Sequence, residues 1–469
     1  MQFRSTFVLA LLLVGCGPSV REDVDPNASC RPGKTGSCFT GVEGTDGVGP
    51  CHGGTRTCDA NGMWGACQGE VAPSQELCGD GIDNNCNGKT DEDEDADGDG
   101  ITTCGGDCCD STECSDPGAV NPGAFDAPGN SFDDDCNGVV DDAVNNCDAN
   151  LASGSLNAND YAKAIDLCQT ATLADKKWGV ISAKLTLADG TGVPTNIAQS
   201  IREHFGTGVL PKVGSKMALF STGAAAGMGD TNPAYQDFQT GGGTNNKQSA
   251  FPSDYVAANG GDLPNVMGCP APLGNNAMDP VMLTLEVRVP TNANSFKLAV
   301  NFFSSEFPEF TCSAYNDFFV VLLDSAYAGT PANPMDKNLA FYQASATSVK
   351  YPVGVNLAYG DTGLFTQCVN GATGCRGNDG TISTCTSTAQ LAMTGLDQPL
   401  AGLCDANALQ GGGTGWLETS GNVKPGEIMK LRIAIWDTSD HVLDSIAVVD
   451  GFRWSVDTTD PGTVILKTQ

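Results

Sequence analysis

Residues 429–436 read Met-Lys-Leu-Arg-Ile-Ala-Ile-Trp, and residues 446–454 read Ile-Ala-Val-Val-Asp-Gly-Phe-Arg-Trp. Short runs of this kind, rich in β-branched and aromatic residues, favour β-strands. Comparable runs recur between turns rich in Gly, Asn and Pro, at 178–187, 217–221, 281–289, 295–303 and 317–323. Several such strands with long connections predict an antiparallel β-sandwich.

Two short helices are predicted in the same region. Residues 160–168 follow Asn159 and residues 196–205 follow Thr195, and both Asn and Thr are common helix N-caps. The segment 222–280 is polar and rich in Gly and Asn, so we expect a surface loop that either binds a ligand or is poorly ordered. The predicted fold class is mainly β, with a disulfide-rich stalk of calcium loops before the sandwich.

The chain is strongly acidic, with 56 acidic and 24 basic residues and a formal net charge of −32. This charge excludes nucleic acid and anionic lipid headgroups as direct partners, and it suits a cation as ligand. A length of 469 residues is enough for two or three domains.

The N-terminus has the features of an export signal. Arg4 precedes a short apolar run at 7–14, which is too short to span a bilayer as a helix. The tetrapeptide Leu13-Val14-Gly15-Cys16 resembles the bacterial lipobox, which implies cleavage before Cys16 and attachment of a diacylglycerol to its sulfur. The next residue is Gly17 rather than aspartate, which favours the outer membrane. An ordinary secretory peptide is the alternative.

The cysteines support export. Of the 21 cysteines, lipidation of Cys16 leaves 20, with twelve between Cys30 and Cys136 and eight between Cys147 and Cys404. Both sets are even, so each can close its own disulfides in an oxidising compartment. Zinc is the alternative, but the cysteine spacings and the three histidines form no clear zinc pattern.

Composition divides the chain into five segments. A signal peptide at 1–15 and a lipidated tether at 16–29 come first. The Gly/Cys-rich module at 30–77 has too few apolar residues for a core and requires disulfides. An acidic repeat segment at 78–146 follows, and the sandwich domain occupies 147–469.

The acidic segment contains a calcium-loop pattern. Residues 83–94 read Asp-Asn-Asn-Cys-Asn-Gly-Lys-Thr-Asp-Glu-Asp-Glu and fit D-x-[DN]-x-[DN]-G-x5-E at every fixed position. Ca²⁺ takes about six to eight oxygen ligands, and glycine at position 6 permits the sharp turn that makes alternate side chains converge. The predicted first calcium site consists of the side chains of Asp83, Asn85, Asn87, Asp91 and Glu94 and the carbonyl oxygen of Lys89.

Two further loops follow this pattern, at 95–100 and 133–141. A disordered acidic face is the alternative for such a charge run, but regularly spaced Gly and Cys argue against it. No flanking helices are evident, so we expect linked loops rather than paired EF-hands. The predicted second site consists of Asp95, Asp97, Asp99 and Asp107, and a weaker third site consists of Asp133, Asp135, Asn137 and Asp141.

The same segment resembles the bacterial MopE-type metal-binding motif family. The repeat elements of that family match residues 78–88, 97–100, 106–110 and 122–124, and a degenerate second copy starts at 129. One member of the family binds copper. This segment has no His or Met, and oxygen ligands favour calcium over copper.

Residues 150–455 resemble the choice-of-anchor L domain of exported bacterial proteins. The residues that carry the resemblance lie at 302–310 (Phe-Phe-Ser-Ser-Glu-Phe-Pro-Glu-Phe), 315–319, 436–440 and 443–445. The resemblance implies a surface-associated β-domain.

Acidic and amide side chains lie beside the predicted strand ends of this domain. One hypothesis is that they meet as a further calcium site at one rim of the sandwich. The alternative is turn capping, which is common for Asp and Asn. The candidate residues are Glu306, Asn316, Asp317, Asp437, Asp440 and Asp444.

Catalytic motifs are absent from the sequence, which contains neither GxSxG nor HExxH. The sequence therefore favours a non-enzymatic outer-membrane lipoprotein. In this hypothesis, calcium-stabilised loops present the sandwich to an unidentified surface ligand for adhesion or recognition. The alternatives are a secreted-type hydrolase acting on carbohydrate or peptide, and a surface protein that scavenges copper or another metal.

Overall fold

The computed structural model describes residues 30–74, 76–91, 93, 95–110, 116–141, 147–239, 246–345, 347–360, 362–374, 383–399 and 409–466. The chain forms two compact units that divide between residues 94 and 95. The predicted lipidation site Cys16, the signal peptide and tether around it, and the predicted ligand Glu94 lie outside the described residues. Within the described ranges, no helix has the length and apolar character needed to cross a membrane.

Disulfides hold the first unit together. It contains a two-stranded antiparallel sheet of β1 (Thr35–Cys38) and β2 (Gly54–Thr57). Disulfides join Cys30 to Cys58, Cys38 to Cys67 and Cys51 to Cys86. Among the described apolar residues of this unit, only cysteines are buried. Cross-links therefore replace the hydrophobic core that this unit lacks.

The second unit contains the antiparallel β-sandwich that the sequence predicted. Its larger sheet contains, in spatial order, β15 (Gly462–Ile465), β12 (Gly412–Asn422), β8 (Ser295–Ser304), β14 (Ser445–Ser455), β5 (Met217–Ser221) and β4 (Gln199–Arg202). Its smaller sheet contains β3 (Gly179–Thr186), β7 (Asn276–Arg288), β13 (Ile428–Thr438) and β9 (Phe318–Asp324), with β6 (Gln248–Ala250) paired to β7. A separate pair consists of β10 (Phe341–Tyr342) and β11 (Tyr351–Pro352).

The main core lies between the two sheets. Alternate residues of each strand point into it, including Leu283 and Leu285 of β7, Phe302 of β8 and Ile433 of β13, all fully buried. Burial of one such side chain contributes about 1.5–3 kcal/mol. Smaller apolar clusters cover the outer faces of both sheets. All five residues of β5 are therefore buried.

One predicted helix is confirmed with different bounds, and the other is wrong. α1 (Ala158–Ala164) begins two residues before the predicted start and ends four residues before the predicted end, and its N-cap is Asn157 rather than Asn159. The side chain of Asn157 accepts a hydrogen bond from the N–H of Asn159. Residues 196–205 contain β4 instead of a helix, and all four residues of β4 are buried and pair with β5. Burial within the sheet thus outweighs the local helix signal. The second helix is α2 (Ser253–Ala258).

The described part of 222–280 is not an open surface loop, contrary to the expectation from composition. It carries β6 and α2, and its residues Phe251, Tyr255 and Leu263 are buried on the outer face of the smaller sheet. The rings of Phe251 and Tyr255 pack against Trp436. These apolar side chains are widely spaced in a polar segment, so no periodic signal announces their burial.

β12 has no strand signal because it is rich in glycine. A Cβ atom on Gly413 would lie 2.4 Å from Phe303 Cδ1, and one on Gly421 would lie 2.5 Å from Leu339 Cδ1. Glycine is required at these positions because large side chains pack directly on the strand backbone.

Candidate metal centres

The first and third acidic loops share one arrangement of hydrogen bonds. The carboxylate of Asp83 accepts hydrogen bonds from the N–H groups of Asn87 (3.1 Å) and Gly88 (3.0 Å). In the third loop, each equivalent residue has a number that is 50 higher. Asp133 accepts hydrogen bonds from the N–H groups of Asn137 (3.0 Å) and Gly138 (2.8 Å). The internal repeat seen in the sequence is therefore also a structural repeat.

Side chains at positions 3 and 5 are held in the same way. Asn85 accepts from the N–H of Asn87 at 3.1 Å, and Asn87 accepts from the N–H of Lys89 at 2.8 Å. Asp135 and Asn137 make the equivalent contacts in the third loop. These bonds hold the side-chain oxygens against the backbone of their own loop. A carboxylate offers about four acceptor sites, so Asp83 keeps capacity for a cation.

Asp91 and Asp141 each accept hydrogen bonds from three consecutive backbone N–H groups. They are the residues predicted as ligands of the first and third sites. Asp91 accepts hydrogen bonds from the N–H groups of residues 79–81 at 2.7–3.2 Å. Asp141 accepts equivalent bonds from residues 129–131 at 2.7–3.4 Å. Their assignment as metal ligands stays a prediction. Buried Glu76 also contacts the first loop, although it was not among the residues predicted from the sequence. Its carboxylate accepts hydrogen bonds from the N–H groups of Asn85 and Asp91.

Five carboxylates converge in the loop at 95–110. Oxygens of Asp95, Asp97 and Asp99 lie within 4.8 Å of one another, and so do oxygens of Asp97, Asp107 and Asp110. The predicted fourth ligand, Asp107, thus lies beside Asp97. Asp110 is an additional candidate ligand, and its sequence signal is its place at the end of the Gly-Asp-Cys-Cys-Asp element.

Asp107, which is 1% exposed, lies among other acidic side chains. Burial raises the pKa of Asp107 to about 6, and the negative charges of Asp99, Asp97 and Asp110 act in the same direction, against a hydrogen bond from the Cys109 N–H. Burial also raises the pKa of Asp99. The only Lys or Arg between residues 76 and 142 is Lys89. The segment therefore contains little positive charge of its own to balance these carboxylates.

Asn121 ties this loop to the sandwich. Its Nδ2 donates a hydrogen bond to Oδ2 of Asp99 at 2.5 Å, and its Oδ1 accepts one from Oγ1 of Thr291 at 2.8 Å. Thr291 lies in the connection between β7 and β8. The position of the Asp99 carboxylate is thus coupled to the sandwich scaffold.

At the rim of the sandwich, the structure brings three predicted residues together. Oxygens of Glu306, Asp317 and Asp437 lie within 4.8 Å of one another, and all three side chains are buried. Asn316 and Asp444, also predicted, are buried as well. The remaining candidate, Asp440, is only partly buried, and its carboxylate accepts the N–H of Val442 at 2.9 Å.

Comparison with known families agrees with both resemblances. Residues 220–451 match the family described as "Choice-of-anchor L domain", and residues 71–92 and 115–142 match the family described as "Putative metal-binding motif". The convergent carboxylates at 95–110 lie between the two matched segments of the second family. No curated protein and no solved structure matches the chain significantly.

The disulfides and the anchor domain indicate an exported protein. In the described part of the chain, disulfides also join Cys108 to Cys136, Cys147 to Cys168, Cys269 to Cys312 and Cys368 to Cys385. Residues 220–451, within the β-sandwich, are therefore similar to the choice-of-anchor L domain, and the segments that precede them are similar to the MopE-type motif.

Proposed function

We propose that this protein is a non-enzymatic lipoprotein of the outer membrane whose acidic loops bind calcium and whose sandwich serves adhesion or recognition at the cell surface. The observation that carries the calcium assignment is the convergence of five carboxylates at 95–110. Binding of a cation there would neutralise their mutual repulsion and order the loop.

Calcium suits this loop better than copper does. The converging groups are all carboxylates, which are hard oxygen donors, whereas copper sites usually include imidazole or sulfur ligands. Oδ2 of Asp97 is buried and accepts no hydrogen bond from any residue that the structure describes. Because Asp97 belongs to both carboxylate groups, this oxygen is the acceptor best placed to bind a cation between them.

A groove on the smaller sheet supports a recognition role. It has a volume of about 460 Å³ and is lined by outward side chains of β3, β7, β13 and β9, by residues 188–190 and 252–254, and by Lys337. Its charged lining includes Lys184, Asp254, Glu286, Asp324, Lys430 and Arg432. Arg432 donates two hydrogen bonds to Asp254, at 2.9 and 2.6 Å, and one to Asp324 at 3.1 Å. This polar lining suits a hydrophilic surface ligand rather than a lipid.

Calcium titration calorimetry on the full chain with disulfides intact tests the metal assignment. We expect binding with Kd of about 0.1–1 mM, which is typical of extracellular calcium modules. Asp97→Asn should weaken binding at this loop at least tenfold, because it removes the carboxylate shared by both groups.

The matched control is Asp93→Asn, which removes the same charge from an exposed position in the acidic segment. Equal calcium affinity in the Asp97→Asn and Asp93→Asn variants would contradict the site. Tight stoichiometric copper binding that excludes calcium would favour the metal-scavenging alternative instead.

A further inference from the structure

Four acidic side chains from both sheets are buried at one end of the sandwich. Glu306 follows β8, Asp317 precedes β9, Asp437 lies near the end of β13 and Asp444 precedes β14. The end of β8 pairs with the start of β14 in the larger sheet, and the end of β13 pairs with the start of β9 in the smaller sheet. The arrangement brings oxygens of Glu306, Asp317 and Asp437 within 4.8 Å of one another, and it places Asp444 close enough to Asp317 for the two charges to interact.

These carboxylates have no basic partner. Glu306, Asp317, Asp437 and Asp444 are 2%, 0%, 3% and 5% exposed, and no Lys or Arg forms an ion pair with them among the described residues. The nearby His441 forms a hydrogen bond with a different carboxylate: its Nδ1 lies 2.7 Å from Oδ2 of Asp279. Two like charges about 4 Å apart repel by about 4 kcal/mol at an effective dielectric constant of 20, so a cluster of ionised groups here requires compensation.

Among the described residues, several buried oxygens at this end of the sandwich also have no hydrogen-bond donor. Neither Oδ1 nor Oδ2 of Asp317 accepts a hydrogen bond of acceptable geometry, and the same holds for Oδ2 of Asp444 and Oδ1 of Asn316. Burial raises the pKa of Asp317, and it outweighs the side-chain contacts with Ser445 and Asp437, which lower this pKa. Buried polar atoms nearly always have a partner, so a group of buried acceptors without donors favours a cation as their ligand.

The carboxylate of Asp444 packs directly against the backbone of Gly223. A Cβ atom on Gly223 would lie 2.0 Å from Oδ2 and 2.2 Å from Cγ of Asp444. The Asp444 side chain therefore occupies the space that any other residue at position 223 would fill. Glycine at position 223 permits this close approach because it has no side chain.

We propose that Glu306, Asp317, Asp437 and Asp444, with the amide oxygen of Asn316, hold a buried calcium ion that joins the ends of the two sheets. All donors are oxygen atoms, and calcium accepts such ligands in irregular numbers and geometries. The ion neutralises the cluster and satisfies the orphaned oxygens. This site is separate in sequence from the acidic loops, and its assignment does not depend on theirs.

Calcium content and thermal unfolding of the full chain test this site. After chelation and dialysis into calcium, the Asp317→Asn variant should contain one calcium ion per chain fewer than the wild type. In chelator, this variant should unfold at the same temperature as the wild type or higher, because one repelling charge is gone. In calcium, the wild type should unfold at the higher temperature. Near-ultraviolet circular dichroism reports on this region because buried Trp436 stacks on Phe318.

Two controls isolate the site. Asp457→Asn, at an exposed position after β14, should keep the wild-type calcium content and calcium-dependent stabilisation. Asp97→Asn should keep the sandwich ion even if it loses a loop ion, so failure of the loop assignment would leave this result intact. If Asp317→Asn does not fold, Asp444→Asn replaces it in both measurements. Equal calcium content in the variant and the wild type, or a variant that is more stable in both buffers, would overturn the proposal.

Discussion

Phe125 and Asn292 exchange a pair of hydrogen bonds across 167 positions of the chain. The N–H of Phe125 donates to Oδ1 of Asn292 at 3.0 Å, and Nδ2 of Asn292 donates to the carbonyl oxygen of Phe125 at 2.8 Å. Phe125 belongs to the main sandwich core. At Phe125 the acidic segment is thus held to the sandwich twice: its backbone bonds to the connection between β7 and β8, and its side chain packs in the core.

We expect Asn292→Ala to destabilise the second unit substantially. The substitution leaves the peptide groups of Phe125 without partners, and an unsatisfied buried polar group costs about 1–3 kcal/mol. Urea unfolding of the full chain measures the loss. Asn276→Ala, at an exposed position, should change the free energy of unfolding by less than about 0.5 kcal/mol, and a similar loss in both variants would refute the role given to Asn292.

The glycine of β12 at position 421 should not tolerate a methyl group. In Gly421→Ala, the added Cβ would meet Leu339 Cδ1 at 2.5 Å, and overpacking of this kind typically costs about 1–3 kcal/mol. Gly118→Ala is the matched control, because the nearest atom to its added Cβ is 3.9 Å away. Thermal unfolding distinguishes the two, and an unchanged melting temperature in Gly421→Ala would show that the strand can shift to make room.

Stability should depend on pH through the pair formed by buried Asp450 and partly buried Asp166. Burial raises the pKa of Asp166 to about 7 and, together with the charge of Asp166, raises that of Asp450 to about 8. In the unfolded chain, both titrate near the usual Asp value of about 3.9. The folded state therefore holds more protons, and the contribution of this pair to stability should fall as pH rises from about 4 to about 8.

Replacement of Asp166 by asparagine should remove most of this dependence. Asn imitates the protonated carboxyl group and tolerates the left-handed backbone at this position (φ 72°). It also leaves the hydrogen bonds from Lys212 and Val213 to Asp450 in place. Relative to the wild type, Asp166→Asn should gain about 1 kcal/mol or more in unfolding free energy between pH 5 and pH 8. A difference that does not change with pH would contradict the raised pKa values of Asp166 and Asp450.

Membrane attachment is predicted from the lipobox resemblance alone. Cys16→Ser should move the protein from the membrane fraction to the soluble fraction, because the thiol that carries the lipid is gone. Mass spectrometry of the mature wild-type N-terminus provides the direct check. A variant that stays in the membrane fraction, or an unmodified cysteine in the wild type, would contradict the prediction.

Local patterns were sufficient for much of this protein. Alternating Asp and Asn before a glycine predict the loops at 83, 95 and 133 because the ligands and the turn lie within a few residues of one another. The β-rich runs predict most strands of the sandwich for the same reason, since the strand preference of a run depends mainly on its own residues and their burial.

Long-range packing determined the rest. Residues 196–205 form a strand because the sheet buries them, β12 is a strand although it is rich in glycine, and Asp110 joins the carboxylates of a loop that begins fifteen positions earlier, at Asp95. The sequence by itself determined which side chains could bind a cation. Only the tertiary structure decided which of them meet, because strand pairing in two sheets brings Glu306, Asp317 and Asp437 within one small volume and excludes water from their oxygens.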